Sequence, residues 1–338
     1  MTYPPHKIRL LYIVSQAVRW VAFEWLAGGI DRERFDVSFL LLHAGRPPLE
    51  PHLKARGVAV RHVPYAGRHA GALAAATAAV ARHCRAHPTD IIHAHFMDAC
   101  LAGLLGARLA GVPVRLHTRH HAGPYPRHFR PPWGAWYDRW NNQLSTAIVA
   151  PSAAARRTLV DHDGVPPSKV VVIPHGFDLG AFTGVEEATV RRLRAKYDLG
   201  DGGPVVGVVA RYERIKGVEH IIPAFRRLLG DYPTARLVLA NAWGRQAGHI
   251  RSLLQTLPQG RYTEIPFEEE MPALYGAFDV LVHVPIHPAF EGFGQVYVEA
   301  MAAGVPCVCT LAGIASEFVA DGVNAVVVEP VEVIFAAG

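Results

Sequence analysis

The sequence has only four cysteines among its 338 residues, and they lack the spacing of a zinc site or a disulfide framework. Cys84, Cys100, Cys307 and Cys309 are therefore expected to be reduced thiols, as in a cytoplasmic protein. Cys307 and Cys309 alternate within an apolar run, which predicts a core position for both. This cysteine usage excludes a small secreted domain held together by disulfides.

The sequence also lacks a long uninterrupted apolar run. Near the N-terminus Arg19 and Glu24 interrupt the most apolar stretch, and no cleavage pattern of a signal peptide follows it. The apolar stretch at residues 99–116 contains Arg108 and Arg115. Because a membrane-spanning helix needs about 20 consecutive apolar residues, we expect a protein that is cytoplasmic, or peripheral at the inner face of the membrane.

Long runs of like charge are absent as well. Charged residues make up 19% of the chain, the formal net charge is +5, and no run of five charges of one sign occurs. This argues against a nucleic-acid-binding tail, so nucleic acid is not an expected partner. A mild positive field suits anionic substrates or an anionic membrane surface.

The sequence does contain a regular alternation of short apolar runs and helical patterns, which is typical of parallel sheets covered by helices. We predict an α/β protein with two doubly wound units, at residues 1–177 and 204–338, joined by a polar connection at 178–203. Ligands of such sheets bind beyond the carboxyl ends of the strands. The predicted strands are 8–14, 35–42, 91–95, 114–117, 147–150, 170–173, 205–210, 237–241 and 280–284.

The most informative segment is EGFGQVYVEAMAAGVPCVCT, at residues 291–310. It holds two carboxylates eight positions apart, Glu291 and Glu299, around a Gly-Phe-Gly turn. Glycine costs a helix interior about 1 kcal/mol, so we predict a loop at Glu291, a helix from about Gln295 and a helix end at Gly304. A helix N-terminus favours phosphate, and the two acids suit hydroxyl groups, so the segment suits a nucleotide sugar.

This segment resembles the E-x7-E signature of retaining glycosyltransferases with the GT-B fold, two Rossmann-like domains facing a central cleft, in particular family 4. The resemblance implies that Glu291 and the amides near Phe293 and Gly294 hold hydroxyls of the donor sugar and that Glu299 holds the ribose. It implies retaining, metal-independent transfer of a hexose from a nucleotide-diphosphate donor, which is a co-substrate, with no separate cofactor. The acceptor would be a glycan, a lipid-linked or a small-molecule acceptor, as in polysaccharide biosynthesis.

Two further segments after predicted strands fit the same family. Arg211 and Lys216, in ARYERIKG, can clamp a diphosphate and offset charge that develops on the leaving group. In TLAGIASE, at residues 310–317, the resemblance implies a glycine-containing loop beside the phosphates, where Gly313 and Ile314 offer backbone N–H groups.

Histidine is abundant, with 19 residues, and supports two interpretations. The segment HTRHHA resembles the family's T-x-H segment, which makes His120 the residue that approaches the donor sugar, with His121 as second choice. The other interpretation is a metal-dependent hydrolase, because His93 and His95 alternate with metal-ligand spacing and His117, His120 and His121 could complete a site.

Three features depart from the family pattern. The first loop, residues 15–25, has no glycine where the family shows Gly-Gly-x-E. In LVLANAWGR, at residues 237–245, Asn241 and Trp243 replace a Gly-x-Gly turn and are expected to line the base or sugar. The second unit is short at its C-terminal end, so the alternative function is a truncated or degenerate protein that binds nucleotide sugar without turnover.

Aromatic residues recur at helical spacing at Trp133, Trp136, Tyr137 and Trp140, after a basic stretch. One interpretation is packing in the core. The other is an acceptor-binding or membrane-facing surface, since tryptophan and arginine suit interfaces.

Overall fold

The structure, a computed structural model, describes residues 6–15, 20–67, 70–121, 134–200 and 202–330. The chain divides into two units, Met1–Phe177 and Asp178–Gly338. Each unit has one sheet in which every strand pair is parallel, of seven strands in the first and six in the second. The predicted α/β class with two doubly wound sheets is therefore confirmed.

The first sheet has the strand order β3-β2-β1-β4-β5-β6-β7. Its order reverses between β1 and β4, which is where ligands bind in open parallel sheets. Its strands are β1 Ile8–Ser15, β2 Phe35–His43, β3 Ala59–Pro64, β4 Ile91–His95, β5 Val114–Thr118, β6 Ala147–Ala150 and β7 Val170–Val172. The helices are α1 Val21–Gly29, α2 Leu49–Lys54, α3 Ala70–Ala86, α4 Met97–Leu109, α5 Gly134–Leu144 and α6 Ala153–Arg157.

Both faces of this sheet are buried, because successive side chains of a strand point to opposite faces. Along β1, Leu11 and Ile13 pack into one apolar cluster with α3 and α4 residues, while Leu10, Tyr12 and Val14 pack into another with Phe23 of α1. An apolar run without alternation therefore predicts a central parallel strand correctly.

The second sheet has the order β10-β9-β8-β11-β12-β13, which reverses between β8 and β11. Its strands are β8 Val205–Val209, β9 Arg236–Ala240, β10 Tyr262–Ile265, β11 Val280–His283, β12 Cys307–Cys309 and β13 Val326–Val327. The helices are α7 Gly180–Thr183, α8 Glu187–Lys196, α9 Val218–Asp231, α10 Ala247–Leu254, α11 Met271–Gly276, α12 Gln295–Ala302 and α13 Ala315–Phe318.

Residues 178–200, predicted as a connection, contain α7 and α8 and lie within the second unit. Helix α8 is tied to that unit by side chains that bond elsewhere in it: Arg194 donates to the carbonyl of Ala277, and Lys196 Nζ lies 2.7 Å from a carboxylate oxygen of Glu268. These long-range bonds cannot be read from a polar local sequence.

Candidate functional site

The second unit brings two predicted catalytic residues together at its reversal point. Strands β8 and β11 are paired neighbours, so the segments that leave their carboxyl ends meet. The segment after β8 makes a 3-10 turn at Arg214–Lys216, and the segment after β11 makes one at Pro288–Phe290, next to Glu291. The ammonium of Lys216 forms an ion pair with the Glu291 carboxylate.

Glu291 is 8% exposed and accepts from two donors on the same carboxylate oxygen. Besides the Lys216 ammonium, His283 Nε2 lies 3.1 Å from Glu291 Oε1. Burial alone would raise the pKa of Glu291, but the charge of Lys216 and the His283 hydrogen bond outweigh it and lower this pKa to about 2. Glu291 is therefore a fully ionised, firmly held carboxylate at neutral pH.

His283 is a site residue that sequence reasoning missed. It ends β11 and is 2% exposed, and burial lowers its pKa although Glu291 acts in the opposite direction. Because an ionised carboxylate can only accept, Nε2 of the neutral ring carries the proton it donates to Glu291. A lone histidine at the end of the apolar strand VLVH is the available signal, since a buried polar side chain needs a partner.

The second glutamate of the E-x7-E pair lies on α12. This helix begins at Gln295 and ends at Ala302, and Gly304 has a left-handed φ of 73°, so the predicted start, end and glycine are confirmed. The Tyr297 ring of the same helix is fully buried, and its hydroxyl donates to the carbonyl of Thr310 at 2.9 Å. These contacts fix the helix against the loop after β12.

Glu299 has a different environment from Glu291. Tyr275 donates its hydroxyl to Glu299 Oε2 at 2.7 Å, and Gln295 donates its amide to Oε1 at 2.8 Å. Burial raises the pKa of Glu299 to about 7, although both hydrogen bonds act to lower it. Among the described residues no cation forms an ion pair with Glu299. Both of its hydrogen-bond donors in the described ranges are therefore neutral groups.

The expectation that Gly313 and Ile314 offer free amides to phosphate is corrected by the structure. The N–H of Gly313 donates to the carbonyl of Pro288 at 3.2 Å, and that of Ile314 donates to the carbonyl of Phe293 at 2.7 Å. Both bonds tie the loop after β12 to the segment around Glu291. These amides therefore stabilise the E-x7-E segment, and the carbonyl of Phe293 accepts one of the two hydrogen bonds.

Arg211 and Trp243 form a cation–π pair after the neighbouring strands β8 and β9. The guanidinium carbon of Arg211 lies 5.5 Å from the centre of the Trp243 ring, and Trp243 is 49% exposed. Asn241, which follows β9, has a φ of 61°, in the region that asparagine tolerates better than most residues. The departure from Gly-x-Gly thus produces a turned segment that presents an accessible aromatic face.

The first unit gathers histidines at the corresponding end of its sheet. His93 and His95 of β4 face residues that end or follow β5: His93 Nε2 lies 2.8 Å from Thr118 Oγ1, and His95 Nδ1 lies 3.1 Å from His120 Nε2. The His120 ring also stacks on Phe96, with ring centres 4.9 Å apart, and on His175, at 5.7 Å. Within this unit His120 is a half-buried residue that packs between aromatic rings.

Burial keeps these histidines neutral. It lowers the pKa of His95 and His120 well below the usual value, that of His93 and His175 to about 4, and that of His117 to about 3. Within the described part of the chain, Nε2 of His95 has no hydrogen-bond partner. A buried N–H without a partner is costly, so the arrangement favours donation from His95 Nδ1–H to His120 and a proton on the other nitrogen, Nδ1, of His120.

The metal interpretation is not supported by the geometry of the described residues, in which no group of three or more His, Cys, Asp or Glu side chains is placed to hold an ion. His117 Nδ1 instead lies 2.7 Å from Ser145 Oγ. His121, the second choice for the sugar, lies 3.5 Å from Asp138, whose other oxygen pairs with the buried Arg119 at 3.1 Å. His121 therefore lies beside the buried ion pair of Arg119 and Asp138.

The core-packing interpretation of the aromatic run is wrong for two of its members. Trp136 and Trp140, one turn apart on α5, are 57% and 47% exposed. Trp133, and the glycine-poor segment at residues 16–19, lie outside the described residues. No helix in the described ranges is both long and apolar enough to span a membrane.

Known proteins match most of the chain. Residues 24–181 match the family model described as Glycosyltransferase Family 4, and residues 189–335 match that described as Glycosyl transferases group 1. The chain is 31% identical over 301 residues to D-inositol 3-phosphate glycosyltransferase of Geodermatophilus obscurus, which covers 81% of this chain and 65% of that protein. It is 28% identical over 305 residues to 2-deoxystreptamine glucosyltransferase of Streptomyces kanamyceticus, which covers 87% of this chain and 75% of that protein.

Among solved structures, HepE of Anabaena in complex with UDP and glucose has a TM-score of 0.80 at 22% identity, with 96% of this chain and 86% of that chain covered. At this level of identity the likeness concerns the fold, which is GT-B. The chain spans just under two thirds, 65%, of the length of the Geodermatophilus relative.

Proposed function

Because the chain belongs to glycosyltransferase family 4, we propose that it transfers a hexose from a nucleotide-diphosphate donor to an acceptor, with retention and without a bound metal. The observation that carries this proposal is the Lys216–Glu291–His283 cluster at the carboxyl ends of β8 and β11. A cation, an ionised carboxylate and a neutral donor meet there at the place where parallel sheets bind ligands.

In this proposal Lys216 and Arg211 neutralise the donor diphosphate and the charge that develops on it as the sugar leaves. In the structure Lys216 is paired with Glu291. An arriving diphosphate competes for that cation, which releases carboxylate lone pairs of Glu291 for hydroxyls of the sugar. Glu299 accepts from the ribose, and the backbone around Phe293 and Gly294 completes the donor pocket.

His120 contributes a neutral imidazole that donates to a hydroxyl of the donor sugar. Its low pKa keeps it uncharged at neutral pH, so it adds no positive charge at the anomeric centre when that centre becomes electron-poor. By donating to His120 Nε2, His95 keeps the proton of the His120 ring on Nδ1. In this role His120 donates a hydrogen bond and transfers no proton.

UDP-glucose is the first donor to test. HepE has been crystallised with UDP-glucose, and the Streptomyces relative is a glucosyltransferase. For the acceptor side, the exposed Trp136 and Trp140 on α5 suit an apolar acceptor or a peripheral contact with an anionic membrane. Of these two, we propose the membrane contact, which the protein makes from the cytoplasm. The acceptor is then a glycan or a lipid-linked molecule.

Binding and turnover of UDP-glucose and GDP-glucose test the proposal, with calorimetry for affinity and, for turnover, release of nucleotide as the glucosyl group passes to water or to an added sugar or lipid-linked acceptor, in EDTA. We expect Arg211→Ala and Lys216→Ala to weaken donor binding by about tenfold or more, since charge-assisted bonds contribute about 1.5–3 kcal/mol. Arg226→Ala, on the exposed face of α9, is the matched control. Binding without turnover would support the non-catalytic alternative, and no binding of either donor would overturn the proposal.

A further inference from the structure

Glu299 is a mostly buried carboxylate with which no cation in the described part of the chain forms an ion pair. Its two oxygens accept from two neutral groups, the Tyr275 hydroxyl at 2.7 Å and the Gln295 amide at 2.8 Å. A buried carboxylate costs stability unless it is well paired, and Glu291, eight positions away, shows what such a pairing looks like in this unit. The incomplete compensation at Glu299 indicates a group kept for a ligand.

The two donors to Glu299 are not equivalent. Gln295 lies on the same helix, one turn earlier, and is half-buried, so its amide moves with α12. Tyr275 belongs to α11, is fully buried, and contacts Phe278 and Phe182 with ring centres 6.0 and 6.1 Å away. Its hydroxyl is therefore a fixed point on a different element, against which Glu299 is oriented.

We propose that Tyr275 is the positioning residue for Glu299: it selects the rotamer in which the carboxylate accepts from the ribose hydroxyls of the donor. This rests on the proposed function, in which Glu299 holds the ribose. Tyr275 donates to Oε2 from the buried side of Glu299. The lone pairs of the carboxylate that this bond does not use are left for the ligand. Tyr275 itself makes no contact with the donor.

The test compares each nucleotide with its 2′-deoxy counterpart, because only a group that reads the ribose distinguishes the two. UDP, GDP and the 2′-deoxy form of each are titrated by calorimetry at pH 8 into wild type and Tyr275→Phe. Tyr212→Phe is the control, since Tyr212 is also fully buried in this unit and donates its hydroxyl to a carboxylate, Glu264, at 3.1 Å. Thermal unfolding of both variants reports their folding.

We expect wild type and Tyr212→Phe to prefer the ribonucleotide by about tenfold. In Tyr275→Phe this preference should fall to about twofold, with little change in affinity for the deoxynucleotide. Retention of the full preference in Tyr275→Phe, or an equal loss for both nucleotides, would overturn the inference and leave the proposed function standing. A wild type that binds no nucleotide would overturn both, and one that binds both forms equally would overturn the ribose role of Glu299.

Glu299→Gln gives a second reading that does not depend on the fold of Tyr275→Phe. The amide keeps the size of the side chain but cannot accept at both terminal atoms. We expect its ribose preference to match that of Tyr275→Phe, and the double variant to show no further loss. Additive losses in the double variant would show that Tyr275 acts on the ribose independently of Glu299, against the proposal.

Discussion

The two units place titratable side chains at the same structural position, the carboxyl ends of parallel strands, but they control charge in opposite ways. In the first unit, burial among aromatic rings keeps His93, His95 and His120 neutral. In the second, Lys216 and His283 keep Glu291 ionised against its own burial. A neutral cluster can orient hydroxyl groups, whereas a paired charge can exchange its partner for a charged ligand.

The same contrast recurs over eight positions of the second unit. Glu291 has a cation and a pKa of about 2, and Glu299 has two neutral donors and a pKa of about 7. The two carboxylates, one before α12 and one on it, therefore differ in character. These contrasts are tested by substitutions that remove a charge, crowd a close backbone approach or replace a group that titrates.

The largest effect is expected from Lys216→Met, which removes the cation and leaves Glu291 buried with His283 as its remaining described partner. Breaking a buried ion pair from one side costs about 3–5 kcal/mol, and loss of a charge stabiliser lowers turnover about 10²–10³-fold. Urea unfolding and nucleotide release from UDP-glucose measure the two losses.

The double variant Lys216→Met/Glu291→Gln separates these two losses. It should recover much of the stability, because no unpaired charge remains, but none of the turnover. A double variant as unstable as Lys216→Met would show that the ion pair is not the source of the lost stability.

Gly217→Ala should be the next largest, as a loss of stability. Gly217 has a φ of 68°, and an added Cβ would lie 2.1 Å from the carbonyl oxygen of Val284, where the segments after β8 and β11 meet. Gly322 has the same φ of 68° with nothing within 4 Å of an added Cβ. We expect about 1 kcal/mol of destabilisation in Gly322→Ala from backbone strain, and about 2–4 kcal/mol in Gly217→Ala, where crowding adds to it. Equal losses in urea unfolding would contradict the close approach.

The neutral histidines predict that acid destabilises the first unit. Above the unfolded-state pKa of about 6.5, neither state binds the proton, and as the pH falls toward 4 the unfolded chain takes up protons that the folded state refuses. Stability is therefore lost as the pH falls, by about 1.4 kcal/mol per pH unit for each such histidine. Glu299 acts with the opposite sign: its raised pKa gives stability that is fully present below about 4.5 and is lost as the pH rises to about 7.

His93→Gln measures this slope, because the glutamine amide can replace Nε2 as the partner of Thr118 but does not titrate. Between pH 6.5 and 4.5 we expect the free energy of unfolding of the variant to fall less steeply with pH than that of wild type. The difference in slope should correspond to the uptake of about one proton on unfolding. At pH 8 the two proteins should differ only by packing. If the free energies of unfolding from urea depend on pH with the same slope in both proteins, His93 is charged in the folded state over this range.

The smallest effect is expected on donor affinity. Glu299 is the better acceptor when ionised, so wild-type affinity for UDP-glucose should fall severalfold as the pH drops from 8 to 6, through its pKa of about 7. Glu299→Gln should bind more weakly with a flat profile over this range. Calorimetry with the intact nucleotide sugar avoids titration of a terminal phosphate. A wild-type profile as flat as that of the variant would assign the titration elsewhere.

Part of this site could be predicted from sequence because its signals are local. The loop–helix–strand frame around Glu291 and Glu299 follows from glycine and apolar spacing, and α12 begins at Gln295 as predicted. His283, on β11, and Tyr275, on α11, were missed because each lies on a different element from its partner glutamate and looks like an ordinary core residue. The free-amide role of Gly313 and Ile314 was wrong because backbone donors at a loop take whichever carbonyl the fold brings near.

The sequence by itself determined the two parallel sheets, the ends of their strands and the loop–helix–strand frame around Glu291 and Glu299, because apolar runs and turn glycines act over a few residues. Only the tertiary structure decided which side chain pairs with which and, through burial and pairing, which of them carry charge. Both depend on distances between strands that are far apart in the chain: Lys216 reaches Glu291 across 75 positions because β8 and β11 are neighbours at the point where the order of the sheet reverses.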